Sequence, residues 1–297
     1  MTTADAEFEF LAPRHDVPTG GRSGFMIVDE RQVHYLEWGP SAGRPVICLH
    51  GGGQTAYMWE ELGATLAPTH HVLAPDLPGH GDSDPIDAMD RHSLAATIPL
   101  LLHEFGIDQA AFVGASLGGI VSLTLAAQKP EVAVAIALID IGHRLEDEGV
   151  NRIIDFMTRH ESFGSLEEAA AEVAEYLPHR RQVKVDNLRR NLRQRPDGRW
   201  EWKHSYGRRL RAAGQPPGGW RQLLAGLDSE VTGLTCPVLV LRGAKSDVLS
   251  SEGAEEVASL IPDARLATVG SAGHHAAGDN PETTVSLVRA FLAETGW

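Results

Sequence analysis

Apolar positions along the chain follow two patterns. From Phe25, the run FMIV, a turn at Asp29-Glu30 and the alternating VHYLEW up to Gly39-Pro40 predict an opening two-stranded hairpin. Beyond it, PVICLH, HVLAPD, AAFVG, AVAIALID, PVLVLRG and ARLATVG are apolar at nearly every position. Such runs predict strands covered on both faces, and therefore a parallel sheet. Helical periodicity falls between them, over 57–66, 93–105, 117–128, 253–260 and 282–295, with Pro or Gly at several ends. Strand and helix alternate, so the fold class is α/β, a mostly parallel central sheet flanked by helices.

The alternation fails once. Between the strand ending near Ile141 and the one starting at Pro237, about ninety residues read as helical and irregular, which predicts a cap or lid inserted before the late strands. The expected organisation is an N-terminal arm over 1–24, a core over 25–143, the helical cap over 144–232 and the rest of the core over 233–297.

One motif carries chemistry on its own context. Gly114-Ala115-Ser116-Leu117-Gly118 follows a strand directly and opens a helix, the strand–turn–helix setting in which G-x-S-x-G presents a nucleophilic serine. The sharp turn strains the serine backbone, and glycines two residues either way relieve the crowding. A serine hydroxyl needs a base to take its proton and an acid to orient that base. His274, in the Gly-rich loop GSAGHH after the last strand, is the expected base. Asp247, in the loop after PVLVLRG, is the expected acid, because Ser116, Asp247 and His274 then follow the chain order Ser…Asp…His. Asp140, at the end of AVAIALID, is the competing acid, since a neighbouring strand end also reaches the histidine. His275 is expected to pack beside it or to support the catalytic groups from behind. For the developing oxyanion, the loop His50-Gly51-Gly52-Gly53 offers the Gly52 N–H, and the helix start offers the Leu117 N–H.

With HGGG at 50–53, DLPGHGDS at 76–83, GASLGG around Ser116, and GHHAAGDNP from Gly273, the chain resembles the α/β-hydrolase fold superfamily. The resemblance runs from about Phe25 to Trp297, apart from the insertion, and implies an acyl-enzyme mechanism with Ser116, His274 and Asp247 in the three roles. Within it, Asp76, His80 and Asp82 are expected to be turn and packing residues. Ser116 in place of an aspartate nucleophile, and Gly53 where a Pro is usual, speak against haloalkane dehalogenase and epoxide hydrolase chemistry. Gly52, where an aromatic residue is typical, weakens a perhydrolase reading. Ala115, where an Asn is common, disfavours a C–C bond hydrolase of ring-cleavage products. A carboxylic ester or lactone hydrolase with no metal and no organic cofactor is expected. The C–C bond hydrolase and a ligand-binding receptor with little turnover are the alternatives.

Composition narrows the partners. A net charge of −14 argues against nucleic acid and anionic membrane surfaces, leaving a small-molecule substrate. Two cysteines, Cys48 and Cys236, are too few for a disulfide framework, and the acidic N-terminus lacks a signal-peptide pattern, so a cytoplasmic chain is expected. Charge is nevertheless uneven: residues 179–212 hold ten Arg and two Lys against three acids. Such a segment is expected to dock on the acidic core and solvate its outer face; the alternative is that one or two of Arg189, Arg190 and Arg193 turn inward to hold a substrate carboxylate. Trp200 and Trp202, with Phe156, Met157 and Tyr176, are expected either to line an apolar acyl pocket or to pack the cap, and Tyr57 and Trp59 carry the same two readings.

Overall fold

The apolar runs become strands of one eight-stranded sheet in a computed structural model, which describes residues 17–180, 183–205, 207–208 and 219–297. β1 (Arg22–Val28) and β2 (Arg31–Trp38) form the expected hairpin and turn through Asp29 and Glu30, both at positive φ. The first strand starts at Arg22, so residues 22–24 belong to the sheet rather than to an arm. The rest of the arm falls largely on 1–16, outside the described residues. There follow β3 (Arg44–Leu49), α1 (Glu60–Leu66), β4 (His70–Pro75), α2 (Arg91–Glu104), β5 (Ala110–Ala115), α3 (Leu117–Gln128) and β6 (Ala133–Ile139).

The long segment after β6 carries α4 (Asp147–Arg159), α5 (Leu166–Tyr176), a 3-10 turn over Val185–Arg190, and a short hairpin of β7 (Leu192–Gln194) and β8 (Trp200–Trp202). A second 3-10 turn over Gly219–Leu223 and α6 (Leu227–Val231) lead back to the sheet. The chain closes with β9 (Val238–Gly243), α7 (Ser251–Leu260), β10 (Ala264–Val269), the single turn α8 (Ala276–Asp279) and α9 (Pro281–Glu294). Among the described residues no helix is long and apolar enough to cross a membrane.

The spatial order is β1-β2-β4-β3-β5-β6-β9-β10; β2 is antiparallel to both neighbours and every other pair is parallel. The near-continuous apolar runs arise because alternate side chains feed separate cores. Ile47, Leu49 and Phe112 pack with α2 and α3, whereas Cys48, Val113 and Leu241 pack against α1 and α9. The order reverses between β3 and β5. In an open α/β sheet, that switch opens a crevice at the carboxyl ends of the two strands. The loop after β3 is the HGGG loop, and the residue after β5 is Ser116.

Phe163, Leu166, Ala169, Val173, Leu188 and Leu192 form a small core within the inserted segment, while Trp220, Leu224, Leu227 and Val231 join the core of the sheet. A buried cation anchors that return. Arg91, in the first turn of α2 and 3% exposed, bonds the Glu230 carboxylate (Nη2 to Oε1, 2.8 Å), the Ala225 carbonyl at 2.8 Å and the Thr124 hydroxyl at 2.9 Å. Asp90 caps the same helix by accepting from the amides of His92 and Ser93. Removing one partner of a buried pair leaves the other charge uncompensated. Arg91→Met should therefore lower stability by about 3 kcal/mol, read as the urea midpoint at constant m-value; an unchanged midpoint would contradict the anchoring role.

Candidate active site

Ser116 sits between β5 and α3 at φ 49°, ψ −115°, a conformation that costs a non-glycine residue about 1–3 kcal/mol. The surroundings hold it there. Its amide donates to the Ile139 carbonyl at 3.1 Å, and its carbonyl accepts from Gly119 and Ile120 in the first turn of α3. The flanking glycines are steric necessities: a methyl on Gly118 would lie 2.0 Å from the Leu49 carbonyl oxygen, and one on Gly114 would lie 2.5 Å from that of Gly118. A strained turn fixed on both sides aims the hydroxyl off the sheet edge.

The carboxylate that meets the histidine is Asp140. His274 Nδ1 stands 2.8 Å from Asp140 Oδ2, and both residues are buried. A carboxylate only accepts, so Nδ1 carries the proton and Nε2 of the neutral ring keeps its lone pair. Asp140 is fully buried; its Oδ1 accepts from the Gly243 amide at 2.8 Å, and its Oδ2 also accepts a short bond from the Ser246 hydroxyl. Asp247, the acid expected from chain order, lies elsewhere: it is paired at 2.7 Å with Arg152 of α4 and is partly exposed. The physical reason is the sheet order. β6 lies between the nucleophile's strand and β9, with Ile139 in register with Leu241, so the residue ending β6 stands between the other two strand ends. At φ 53° Asp140 turns its carboxylate toward the His274 loop. The loop after β9 contributes Ser246 and the Gly243 amide instead of the acid.

The HGGG loop runs beside the nucleophile, where a methyl on Gly51 would be 3.4 Å from the Ser116 Cβ. His50 shapes it. Its Nε2 accepts from the Leu77 amide at 2.9 Å, which leaves Nδ1 to donate to the Gly51 carbonyl at 2.8 Å. Gly52 faces open space, and Leu117 lies at the amino end of α3, where the helix dipole favours negative charge. A chain of hydrogen bonds continues from the loop. The Gly51 amide donates to Gln54 Oε1 (3.1 Å), so the amide nitrogen of Gln54 faces His275 Nδ1 at 3.2 Å, and His275 Nε2 is 3.2 Å from the Tyr176 hydroxyl. His275, expected to pack or to support the catalytic groups, links the loop to α5; Gln54 and Tyr176 carry no sequence motif that marks this role.

Ser116, Leu117, Gly51, Gly52, His274 and Tyr176 line one cavity of about 630 Å³. Its walls are mostly apolar, with Ile141, Val150, Ile154, Phe156, Trp202 and Leu224 among them. Phe156, Met157, Tyr176, Trp202 and Tyr57 face it as the pocket reading expects, with Phe156 stacked on Tyr176 at 4.0 Å between ring centres. Trp200 lies under Arg189, and Trp59 is buried in the sheet's core. Of the three inward candidates Arg190 lines the cavity, and each of the three is engaged with another side chain. Arg189 covers Trp200, Arg190 bonds Glu60 at 2.6 Å and lies over Tyr57, and Arg193 bonds Glu201 on the surface.

Among the described residues, His34, Asp76 and Asp82 have ligand atoms close enough together for a metal ion. Protein donors already occupy them: Asp76 accepts from the Ala56 and Asp82 amides and pairs with His34 at 2.6 Å, and Asp82 pairs with Lys203 at 2.6 Å. The arrangement is that of a loop organiser, as the resemblance implies for Asp76 and Asp82. His80 donates to the Pro78 carbonyl within the same loop.

Burial holds the imidazoles of His50, His80 and His275 below their ordinary value of 6.5, with repulsion from the His50 and His204 rings adding to the effect for His80, and from His274, Arg180 and Arg152 for His275. Unfolded imidazoles take up protons near 6.5 while these three stay neutral, so stability falls as pH drops below that value. Glu37, Glu60 and Asp76 have lowered values, and their contribution is lost only below the ordinary carboxylate range. Between pH 6.5 and 5 the histidines therefore dominate, each approaching a loss of about 1.4 kcal/mol per pH unit. Urea midpoints at pH 7.5, 6.5 and 5.5 should fall progressively; a flat series would contradict the assignment.

A family model described as alpha/beta hydrolase fold matches residues 44–281. "Esterase Rv0045c" of Mycobacterium tuberculosis is 29% identical over 280 residues, covering 88% of this chain and 86% of the relative. "Lipase LipV" of the same organism is 30% identical over 182 residues, 61% of this chain and 68% of the relative. The crystal structure of that esterase superposes with a TM-score of 0.71 at 27% identity, over 92% of this chain and 91% of the other. E-2-(acetamidomethylene)succinate hydrolase superposes at 0.79 and 23% identity, over 92% and 99%, a likeness of fold. The family match spans most of the described sheet, and the chain belongs to the alpha/beta hydrolase fold family.

Proposed function

We propose that the chain hydrolyses a carboxylic ester or lactone through an acyl intermediate on Ser116. The observation that carries this reading is the shared cavity: a serine at φ 49° and a histidine held by a buried carboxylate both open into it. The esterase and lipase relatives support an ester as the substrate class. Ser116 Oγ attacks the acyl carbon while His274 Nε2 takes its proton, and Asp140 stabilises the imidazolium that forms. The Gly52 and Leu117 N–H groups receive the developing oxyanion. His274 then returns the proton to the leaving alkoxide, and a water activated by the same ring releases the acid. The apolar walls suit a hydrocarbon acyl or alcohol group, and the segment between β6 and β9 serves as the cap over it.

The test uses p-nitrophenyl esters from acetate to octanoate with intact-mass detection of the acyl adduct. Ser116→Ala should abolish turnover and adduct alike while leaving the melting temperature within a few degrees. Asp140→Asn should lower kcat about 10⁴-fold, as loss of the orienting acid does in a comparable triad. Asp247→Asn breaks a partly exposed ion pair and should change kcat by less than about threefold. The reverse ranking of the two aspartates would overturn the choice of acid, and wild type that binds esters without turnover would favour the receptor alternative.

A further inference from the structure

The hydrogen bonds around His275 fix the direction of a proton. The Gly51 N–H can only donate, so Gln54 meets it with oxygen and turns its NH₂ to His275 Nδ1. That nitrogen must accept. Burial keeps His275 neutral, so its single proton lies on Nε2 and is donated to the Tyr176 oxygen, 3.2 Å away. The hydroxyl of Tyr176 has its acceptor side occupied, and its own proton remains for a partner in the cavity that the residue lines.

One turn further along, Arg180 lines the same cavity. Its guanidinium rests on the backbone of Gly278, where a methyl would lie 2.0 Å from Nη2, so a larger residue there would push the guanidinium aside. The nearest carboxylate is Asp279, 3.8 Å from Nε, and that distance is too long for a hydrogen bond. Among the described residues Arg180 Nε and Asp279 Oδ1 both lack a hydrogen-bond partner, while Asp279 Oδ2 accepts from the Gly273 amide at 3.0 Å. Asp279 therefore orients the guanidinium electrostatically without using its Nε donor. Burial lowers the Arg180 value and raises that of Asp279, consistent with a desolvated pair that lacks solvating partners. A buried donor without a partner is costly, and a guanidinium next to a hydroxyl donor matches the two oxygens of a carboxylate.

Resting on the ester-hydrolase reading, we propose that Arg180 and Tyr176 form a carboxylate subsite beside the catalytic histidine, so that the preferred esters carry a second, ionised carboxyl group. Arg190 also lines the cavity but is held by Glu60, so the role sought in the sequence for Arg189, Arg190 or Arg193 is assigned to Arg180, at the start of the same basic stretch. Apolar walls accommodate the carbon skeleton between the two polar ends.

Matched pairs of p-nitrophenyl esters of four to six carbons, one ending in methyl and the other in carboxylate, test this, with Ser116→Ala supplying the uncatalysed background. The readout is the ratio of kcat/KM for the two members, which a general loss of folding or catalysis does not move. Arg180→Met should lower the carboxylate-to-methyl ratio by about tenfold or more, mainly through KM, and Arg180→Lys should restore part of it. Tyr176→Phe should lower it several-fold. Calorimetry on Ser116→Ala with hexanedioate against hexanoate gives a readout without turnover: hexanedioate should bind more tightly, and the double variant with Arg180→Met should lose the difference. Equal ratios and equal binding in wild type and Arg180→Met overturn the subsite. Arg180-dependent binding of hexanedioate with no Ser116-dependent turnover of any ester overturns the hydrolase reading and supports the subsite.

Discussion

Asp140 is a carboxylate without exposed surface, and such a group persists only where donors replace the water it has lost. The donors come from three places along the chain: the Gly243 amide at the end of β9, the Ser246 hydroxyl in the loop after it, and the His274 ring after β10. Satisfying one buried charge thus draws the end of β9 and two loops to the carboxyl end of β6. The same bond fixes the His274 ring and its tautomer, so burial cost and site geometry are one constraint.

Two strained residues stand at adjacent strand ends. Ser116 and Asp140 both have positive φ, and the Ser116 amide is bonded to Ile139, the residue just before Asp140. The sheet determines that these ends are neighbours, since β5 and β6 pair from Ala110↔Ala133 to Ala115↔Ile139. Strain at both positions is sustained by parallel pairing beneath them and by the glycines that allow α3 to pack against the Leu49 carbonyl.

Much of this was legible in residues. The six apolar runs mapped onto the six parallel strands within a residue or so, because burial on both faces leaves little freedom of pattern. Ser116 was readable because its motif is local: five residues between a strand and a helix. The acid was harder, because chain order constrains it only to a strand end, and both Asp140 and Asp247 satisfy that. Choosing between them required knowing that β6 lies between β5 and β9, and that Arg152 of α4 takes the Asp247 carboxylate. Gln54 and Arg180 were not distinguishable, and Tyr176 only as a pocket or packing aromatic, since their roles depend on contacts across 99 and 221 residues of chain. The inserted segment was legible as an interruption but not in its packing, where basic residues cover aromatic rings and pair with acids of the core.

The small core within that segment draws all its buried members from 163–192, none from the sheet. Two of them, Val173 and Leu188, also form part of the cavity wall. The cavity wall is therefore shared between two separately packed bodies of side chains, since Ile141, Val150 and Leu224 of the sheet's core line it as well. Repacking the smaller one alters the volume available to a substrate without disturbing the strand ends that hold Ser116, Asp140 and His274.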